Sequence, residues 1–120
     1  MLPRPNRLRR SADIQHVRRN GRRSYHPLLT LYVMNNDRAN ARFAISVSRR
    51  VGNAVVRNRA KRLVREAIHC QLSQLEAGWD CLFVASPEMA TASFAEVQMA
   101  VKRLLLRANL LHQDTGMSGS

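Results

Sequence analysis

Residues 42–65 read RFAISVSRRVGNAVVRNRAKRLVR, and they pass from a strand pattern to a helix pattern. At the start of this stretch Phe43, Ile45 and Val47 alternate with alanine and serine, so the large side chains share one face of a strand. That face enters a core, and the small, partly polar face leaves room for another group to lie against the sheet. From Asn53 onward the apolar residues recur at helical spacing. The stretch therefore predicts a mixed α/β fold.

The predicted helix separates into an apolar and a cationic face when its residues are placed about 100° apart. The cationic face carries Arg57, Asn58, Arg59, Lys61, Arg62 and Arg65. The apolar face carries Val56, Ala60, Leu63, Val64 and Ala67, with Ile68 on the edge of the cationic face. An arginine can give two hydrogen bonds to one phosphate, and an asparagine can both donate and accept. We therefore expect the cationic face to bind an anionic partner.

Two other interpretations of this helix are weaker. An ordinary solvated face mixes charges of both signs, whereas residues 49–65 contain seven basic residues and no acid. A helix on a membrane surface anchors itself with large apolar or aromatic side chains. Here the apolar face is valine and alanine with one leucine, so a globular core explains it better.

The whole chain is basic, and its charge is unevenly distributed. Its 120 residues include 20 Lys and Arg against 8 Asp and Glu, which gives a formal net charge of +12. Residues 1–65 contain 17 basic and two acidic residues, whereas residues 66–120 contain three basic and six acidic residues. Such a positive surface attracts polyanions. Nucleic acid is the first expectation, and an anionic membrane or an acidic protein is the alternative.

The rest of the sequence predicts three helices and three main strands. The expected helices run from an N-cap at Ser11 to about Asn20-Gly21, from Gly52-Asn53 to about Leu75, and from a capping box at Ser93–Glu96 to Leu111. The expected strands are 28–34, 42–48 and 80–85. We expect one domain over residues 1–112, with 1–7 as an extended basic arm and 113–120 as a disordered tail.

Residue types that usually carry hydrolytic chemistry are scattered along the chain. The eight Asp and Glu do not pair at the spacing of metal ligands, and the four His are isolated, so we expect surface or hydrogen-bonded histidines. Cys70 and Cys81 lack zinc or redox spacing and are expected to be buried, reduced thiols. No signal segment is visible, and no stretch approaches the roughly 20 apolar residues of a membrane span. The expectation is a cytoplasmic protein without a catalytic site or a bound cofactor.

The basic segment resembles a known family. Residues 46–66, SVSRRVGNAVVRNRAKRLVRE, are similar to the RNR motif and its surroundings in the bacterial ribonuclease P protein. The similarity extends in the same order to an arm, a first helix, a first strand and a later strand, at residues 6–10, 13–15, 31–32 and 80–87. It covers roughly residues 6–111, and the central motif is long enough to be specific.

The resemblance implies a fold and a set of partners. The fold would be α/β of the α+β kind, a single mixed sheet packed by three helices. It would form an α-β sandwich with a left-handed crossover around the RNR helix, as in folds like the second domain of ribosomal protein S5. The chain would be the protein subunit of ribonuclease P, whose RNA removes the 5′ leader of precursor tRNA. Mg²⁺ would be held mainly by that RNA. The partners would be the catalytic RNA and precursor tRNA, with no membrane and no obligate protein partner.

The resemblance also implies two sets of binding residues. Contacts to the catalytic RNA are expected from the RNR helix and the loop before it, at Arg49, Arg50, Asn53, Arg57, Asn58, Arg59 and Arg62. Contacts to the leader are expected in a cleft between the first helix and the sheet, at Ile14, Arg18, Tyr32, Ser46, Ser48, Lys61 and Arg65. No catalytic and no metal-binding residue is expected.

One departure from the family pattern concerns base stacking. Some relatives carry aromatic residues on the first helix where this sequence has Ile14 and Arg18. Stacking of bases on that helix is therefore in doubt, although a guanidinium can stack or bind phosphate. Tyr32 is the remaining aromatic candidate, and it either stacks on the leader or is a core tyrosine with a satisfied hydroxyl.

Other functions fit the same charge pattern. A stand-alone RNA-binding protein, such as a ribosomal protein or an RNA chaperone, agrees equally well with the basic helix, and only the extended motif separates it from the first interpretation. A protein-only nuclease is a distant third possibility. Cleavage of leader-bearing precursor tRNA after reconstitution with a ribonuclease P RNA would distinguish these functions.

Overall fold

The computed structural model describes residues 2–111, which form one sheet with helices on both sides. In that range the helices and strands follow the order α1 (Ser11–Asn20), β1 (Arg22–Tyr25), β2 (Leu29–Asn35), β3 (Arg42–Ser46), α2 (Ala54–His69), β4 (Trp79–Ala85) and α3 (Phe94–Arg107). Short 3-10 helices lie at Arg4–Asn6, Leu72–Gln74 and Pro87–Thr91. Three helices around a mixed sheet were expected, and the fold class is confirmed.

The sheet has the strand order β1-β2-β4-β3. The β1–β2 and β2–β4 pairs are antiparallel, and the β3–β4 pair is parallel. Parallel neighbours need a crossover connection, and α2 supplies it between β3 and β4. This is the unit around which the family resemblance implies a left-handed crossover.

The main core lies between the sheet and the pair α2 and α3. The strands contribute apolar residues with at most 3% exposure, among them Leu29, Leu31, Val33, Phe43, Cys81 and Phe83. The helices contribute Ala60, Val64, Ala67, Ile68, Val97, Ala100, Val101, Leu104 and Leu105. Ile68 is fully buried rather than at the edge of the cationic face, because α2 packs against α3 as well as the sheet.

On the other side of the sheet lies a single helix of the described chain, α1. Val17 of this helix packs with Leu8, Ala44 and Leu82 in a second, smaller apolar cluster. Gly21 ends the helix where a Cβ atom would lie 2.6 Å from the Val17 carbonyl oxygen, so the chain turns into β1 at a point where a side chain would clash.

A buried ion pair holds the edge of this side in place. Arg42 donates from Nε and Nη2 to the two carboxylate oxygens of Asp80, at 2.8 and 2.7 Å. The hydrogen bonds to Asp80 raise the pKa of Arg42. Asn36 donates to the same carboxylate at 2.7 Å, and Asp13 of α1 lies 4.0 Å from Arg42. The network therefore links β3, β4, α1 and the segment after β2.

Several element boundaries differ from the sequence-based expectation. Ser11 is the first residue of α1 and not its N-cap; Arg10 occupies that position without a side-chain cap. The second helix ends at His69 and not near Leu75, because Leu72–Gln74 forms a 3-10 turn and Leu75 bridges to Leu111. The capping box at Ser93 and Glu96 is confirmed.

The other differences lie in β1, the last helix and the arm. The strand β1 was not expected, so the sheet has four strands and not three. The last helix ends at Arg107 rather than Leu111, since Asn109 adopts a left-handed φ of 60°. Residues 2–8 include the 3-10 helix and pack on the edge of β3, and Leu2 is only 4% exposed. The expected tail at 113–120 lies outside the described residues.

Candidate nucleic-acid interface

The loop before α2 is shaped by its own hydrogen bonds. Asn53 is the N-cap, and its Oδ1 accepts the Val56 N–H at 3.0 Å. Ser48 accepts the Arg50 N–H with its hydroxyl at 3.3 Å. Gly52 has a φ of 156°, and a Cβ there would lie 2.9 Å from the Val56 side chain. The loop can therefore present Arg49 and Arg50, both exposed, in a defined turn ahead of the helix.

The residues expected to bind the catalytic RNA lie in this loop and along α2. Arg49, Arg50, Asn53, Asn58 and Arg62 are exposed, and Arg57 and Arg59 are half-buried. Most of the predicted set is therefore accessible to a partner, and two of its arginines also contact the protein interior.

Of these two arginines, Arg57 has a buried polar atom without a partner among the described residues. Its Nε atom is buried and has no hydrogen-bond partner in the part of the chain that the structure describes. On the helix Arg57 faces the same direction as Val64 and Ile68, two and three turns further on, which are fully buried. Arg57 can therefore meet an anion only through the atoms beyond Nε.

Arg59 joins α2 to the segment before α3. Its Nη2 donates to the Ala92 carbonyl oxygen at 2.8 Å. A guanidinium has five N–H donors, so this bond leaves others for a phosphate. Arg59 thus contributes to the fold as well as to the cationic surface.

Three of the residues expected at the leader meet in one groove of about 270 Å³. Ile14 of α1, Lys61 and Arg65 of α2 line it together with residues of the N-terminal arm and β3. The arm contributes Arg7 and Arg9, which were not among the predicted binding residues. Two helices and the arm therefore converge on a groove with at least four cations.

The other residues expected at the leader are spread over the α1 side of the sheet. Tyr32 is half-buried and packs against the cluster around Val17, so part of its ring is in the core and part is accessible. Ser46 is half-buried at the end of β3, and Ser48 is exposed two residues later. Arg18 is exposed in the last turn of α1 and does not line the groove of Ile14.

A second groove lies on the other side of the cationic helix surface. It has a volume of about 520 Å³ and is lined by Arg62, Leu63, Arg65, Glu66 and Phe94. Arg65 borders both grooves, so the sets expected at the catalytic RNA and at the leader are contiguous. Phe94 was not predicted as a surface residue, because its position in the first turn of α3 gives no signal of exposure.

The described residues outside the two grooves were expected to hold neither a metal site nor a reactive thiol. In residues 2–111 no three His, Cys, Asp or Glu side chains lie together as candidate metal ligands. Cys81 is buried, and burial raises the pKa of its thiol, but Cys70 is exposed, so the expectation of two buried thiols was wrong for Cys70. No described helix is long and apolar enough to cross a membrane.

Comparison with known proteins gives the family of this chain. The family model described as Ribonuclease P matches residues 2–109. This chain belongs to the ribonuclease P protein family. The ribonuclease P protein component of Herpetosiphon aurantiacus is 41% identical over 111 residues, which cover 92% of this chain and 90% of that protein. The component from Chloroflexus aggregans is 45% identical over 111 residues, which cover 92% and 82% of the two chains.

Solved structures of ribonuclease P proteins share the fold. The protein from Staphylococcus aureus superposes with a TM-score of 0.82 at 27% identity, covering 89% of this chain and 98% of that one. The protein from Thermotoga maritima superposes with a TM-score of 0.77 at 25% identity, covering 84% and 96%. The family predicted from the RNR motif is therefore confirmed.

Proposed function

We propose that this chain is the subunit of a cytoplasmic ribonuclease P that binds the catalytic RNA through α2 and the 5′ leader of precursor tRNA beside α1. The observation that supports it is the junction at Arg65, which lines both the groove with Ile14 and Lys61 and the groove with Arg62. One RNA can lie along the outer side of α2 while a second, single strand enters the cleft. The two partners would meet at the same helix.

The electrostatic contribution of the protein follows from this arrangement. Two RNAs brought together repel each other, and cations placed between them reduce that repulsion. The chain has a formal net charge of +12. In the proposal the RNA carries out hydrolysis with Mg²⁺ that it holds itself, and the protein lowers the Mg²⁺ concentration that this requires.

The acidic residues of the described chain are consistent with a binding role. Asp80 is held by Arg42 and Asn36 beneath the α1 side of the sheet. Glu96 belongs to the capping box of α3, where hydrogen bonds from Ser93 lower its pKa. These carboxylates stabilise the fold, and the proposal assigns the protein no residue that acts on the phosphodiester.

Reconstitution tests the proposed function. The full chain is combined with a bacterial ribonuclease P RNA and a precursor tRNA that carries a 5′ leader, and cleavage is measured as Mg²⁺ is lowered. We expect cleavage to persist at Mg²⁺ concentrations where the RNA alone is inactive. Equal Mg²⁺ dependence with and without saturating protein would contradict the proposal. RNA binding without any effect on cleavage would favour a stand-alone RNA-binding protein.

A further inference from the structure

Tyr25 is an exposed aromatic residue at the end of the edge strand β1. The residue is 61% exposed, and β1 has a neighbouring strand on one side only. Most tyrosines are more buried than this. The guanidinium of Arg23 lies 4.9 Å from the centre of its ring, within the range of a cation–π contact. We call this exposed ring, with the positive charge of Arg23 beside it, the Tyr25 platform.

The strand register places this platform on the α1 side of the sheet. Tyr25 is paired with Thr30, Thr30 with Val84, and Val84 with Ser46. Residues paired across neighbouring strands share one face, so these four side chains form a row across all four strands. At about 4.8 Å per strand, the row runs roughly 14 Å from Ser46 to Tyr25.

This row is more open than the row next to it. Ala44 and Leu82, one register step away, are buried in the cluster under α1. Thr30, Val84 and Ser46 are only half-buried, and of these three Val84 packs against that cluster. The row is therefore an accessible floor that begins near the loop before α2 and ends at the Tyr25 platform.

The platform is also held in place by α3. The Arg107 guanidinium donates a hydrogen bond to the main-chain carbonyl of Tyr25. This bond fixes the backbone at the end of β1 and does not involve the ring. A ring on a fixed backbone loses little conformational freedom when it binds, which favours stacking.

We propose that Tyr25, with Arg23 beside it, is a stacking site for a nucleobase of single-stranded RNA. The inference rests on the proposed function, in which the leader lies beside α1, and it extends that cleft by one strand beyond Tyr32. An aromatic ring stacks on any base and is tolerant of sequence. Arg23 can at the same time bind a neighbouring phosphate. In this chain β1 supplies an aromatic ring, whereas α1 carries Ile14 and Arg18 at the positions where some relatives have aromatic residues.

The position of Tyr25 predicts that its contribution to binding depends on the length of the leader. The catalytic RNA binds at α2 in the proposed function, so the cleavage-site end of the leader lies near Ser46 and the leader meets Tyr25 last. A distance of about 14 Å corresponds to about four stacked nucleotides. A stacked leader of two nucleotides spans about 7 Å and ends before it reaches Tyr25.

The test uses the reconstituted holoenzyme and two precursor tRNAs with leaders of two and ten nucleotides. For Tyr25→Ala we expect the affinity for the long-leader substrate to fall about tenfold, with no change for the short leader. Tyr25→Phe keeps the ring and should bind like the unmodified protein. Met99→Ala is the matched control, because Met99 is 59% exposed but lies on α3.

A third substrate separates stacking from phosphate binding. In a ten-nucleotide leader without bases beyond the second nucleotide, the difference between the unmodified protein and Tyr25→Ala should disappear. Equal losses with the short and long leaders, or no loss with either, would overturn the stacking site. Failure of the unmodified protein to bind the long-leader substrate better than the short one would overturn the proposed function itself. These two failures are distinguishable.

Discussion

The two faces of the sheet are built from the same strands but are covered differently. On the α2 and α3 side, residues such as Leu31 and Phe83 are fully buried. On the α1 side, their neighbours Thr30 and Val84 are half-buried. Successive side chains of a strand point to opposite faces, so each strand contributes to the core with one set of residues and to a surface with the other.

The difference in helical cover explains this division. Two helices of 16 and 14 residues lie on the core side, whereas α1 has 10 residues and lies on the other side alone. A single short helix cannot cover four strands, so part of the sheet is left open as a floor. In the proposed function the leader lies on the open face and the main core on the other, so substitutions in the sheet can be chosen to affect one without the other.

The largest expected effect on the free energy of unfolding comes from Phe83 of β4, and its neighbour Val84 is the comparison. Phe83→Ala removes a fully buried ring that packs on Phe43 and should lower the free energy of unfolding by about 3–5 kcal/mol. Val84→Ala, on the half-covered face, should lower it by no more than about 1 kcal/mol. Urea unfolding followed by circular dichroism measures both values. Similar losses for the two variants would show that the α1 side carries as much of the stability as the core side.

Two arginines of α2 differ in the same way. Arg59 contacts the protein as well as the cationic surface, whereas Arg62 is exposed. Arg62 is exposed, so Arg62→Ala should weaken binding to the catalytic RNA and reduce the salt dependence by about one ion without changing stability. Arg59→Ala should also weaken RNA binding. Because it removes the hydrogen bond to Ala92, it should in addition lower the free energy of unfolding by about 1–2 kcal/mol.

Two measurements on the same variants separate the contributions of Arg59. Unfolding in urea reports the contact to Ala92, and RNA titration at several salt concentrations reports the phosphate contact. Arg59→Lys is the matched control, since it keeps the charge but loses the planar guanidinium. If Arg59→Ala changed only the RNA titration, the bond to Ala92 would contribute nothing measurable to the fold.

Much of the fold could be predicted from the sequence because its signals are local. The alternation of Phe43, Ile45 and Val47 predicted β3, and the side chain of Asn53 caps α2 as its sequence position suggests. Ser93 and Glu96 form the capping box that their spacing indicates. Each of these signals depends on neighbours within a few residues, so no tertiary information was needed.

The features that were missed depend on tertiary contacts. The segment Arg22–Tyr25 has no apolar alternation, and it becomes a strand only because β2 is available for pairing. With β1 missed, Tyr25 had no assigned face. The helical spacing of α2 gave an apolar side but not its centre, so the burial of Ile68 and of the Arg57 Nε atom could not be predicted. The bond from Arg59 to Ala92 joins residues far apart in sequence.

The smallest expected effect concerns pH and the turn between β1 and β2. His26 accepts the Leu28 N–H with its Nδ1 at 3.1 Å, which requires that this nitrogen carry no proton. Burial lowers the pKa of His26 below its usual value of 6.5, and the positive charges of Arg107 and Arg103 lower it further. Glu96 is the acidic residue that lines a groove together with His26 and Arg103. The neutral imidazole is therefore favoured in the folded chain.

The sign of the pH dependence follows from that lowered pKa. Above about pH 6.5 His26 is neutral in both the folded and the unfolded chain, and its contribution to stability is complete. As the pH falls from 6.5 through the lower folded pKa, the unfolded chain binds the proton first, so the free energy of unfolding decreases.

His26→Asn keeps an acceptor for the Leu28 N–H and does not titrate. We expect the difference in urea midpoint between pH 7.5 and pH 5 to be smaller in this variant than in the unmodified protein. An unchanged difference would mean that protonation of His26 does not destabilise the turn between β1 and β2, and the hydrogen bond to the Leu28 N–H would then contribute nothing measurable to stability.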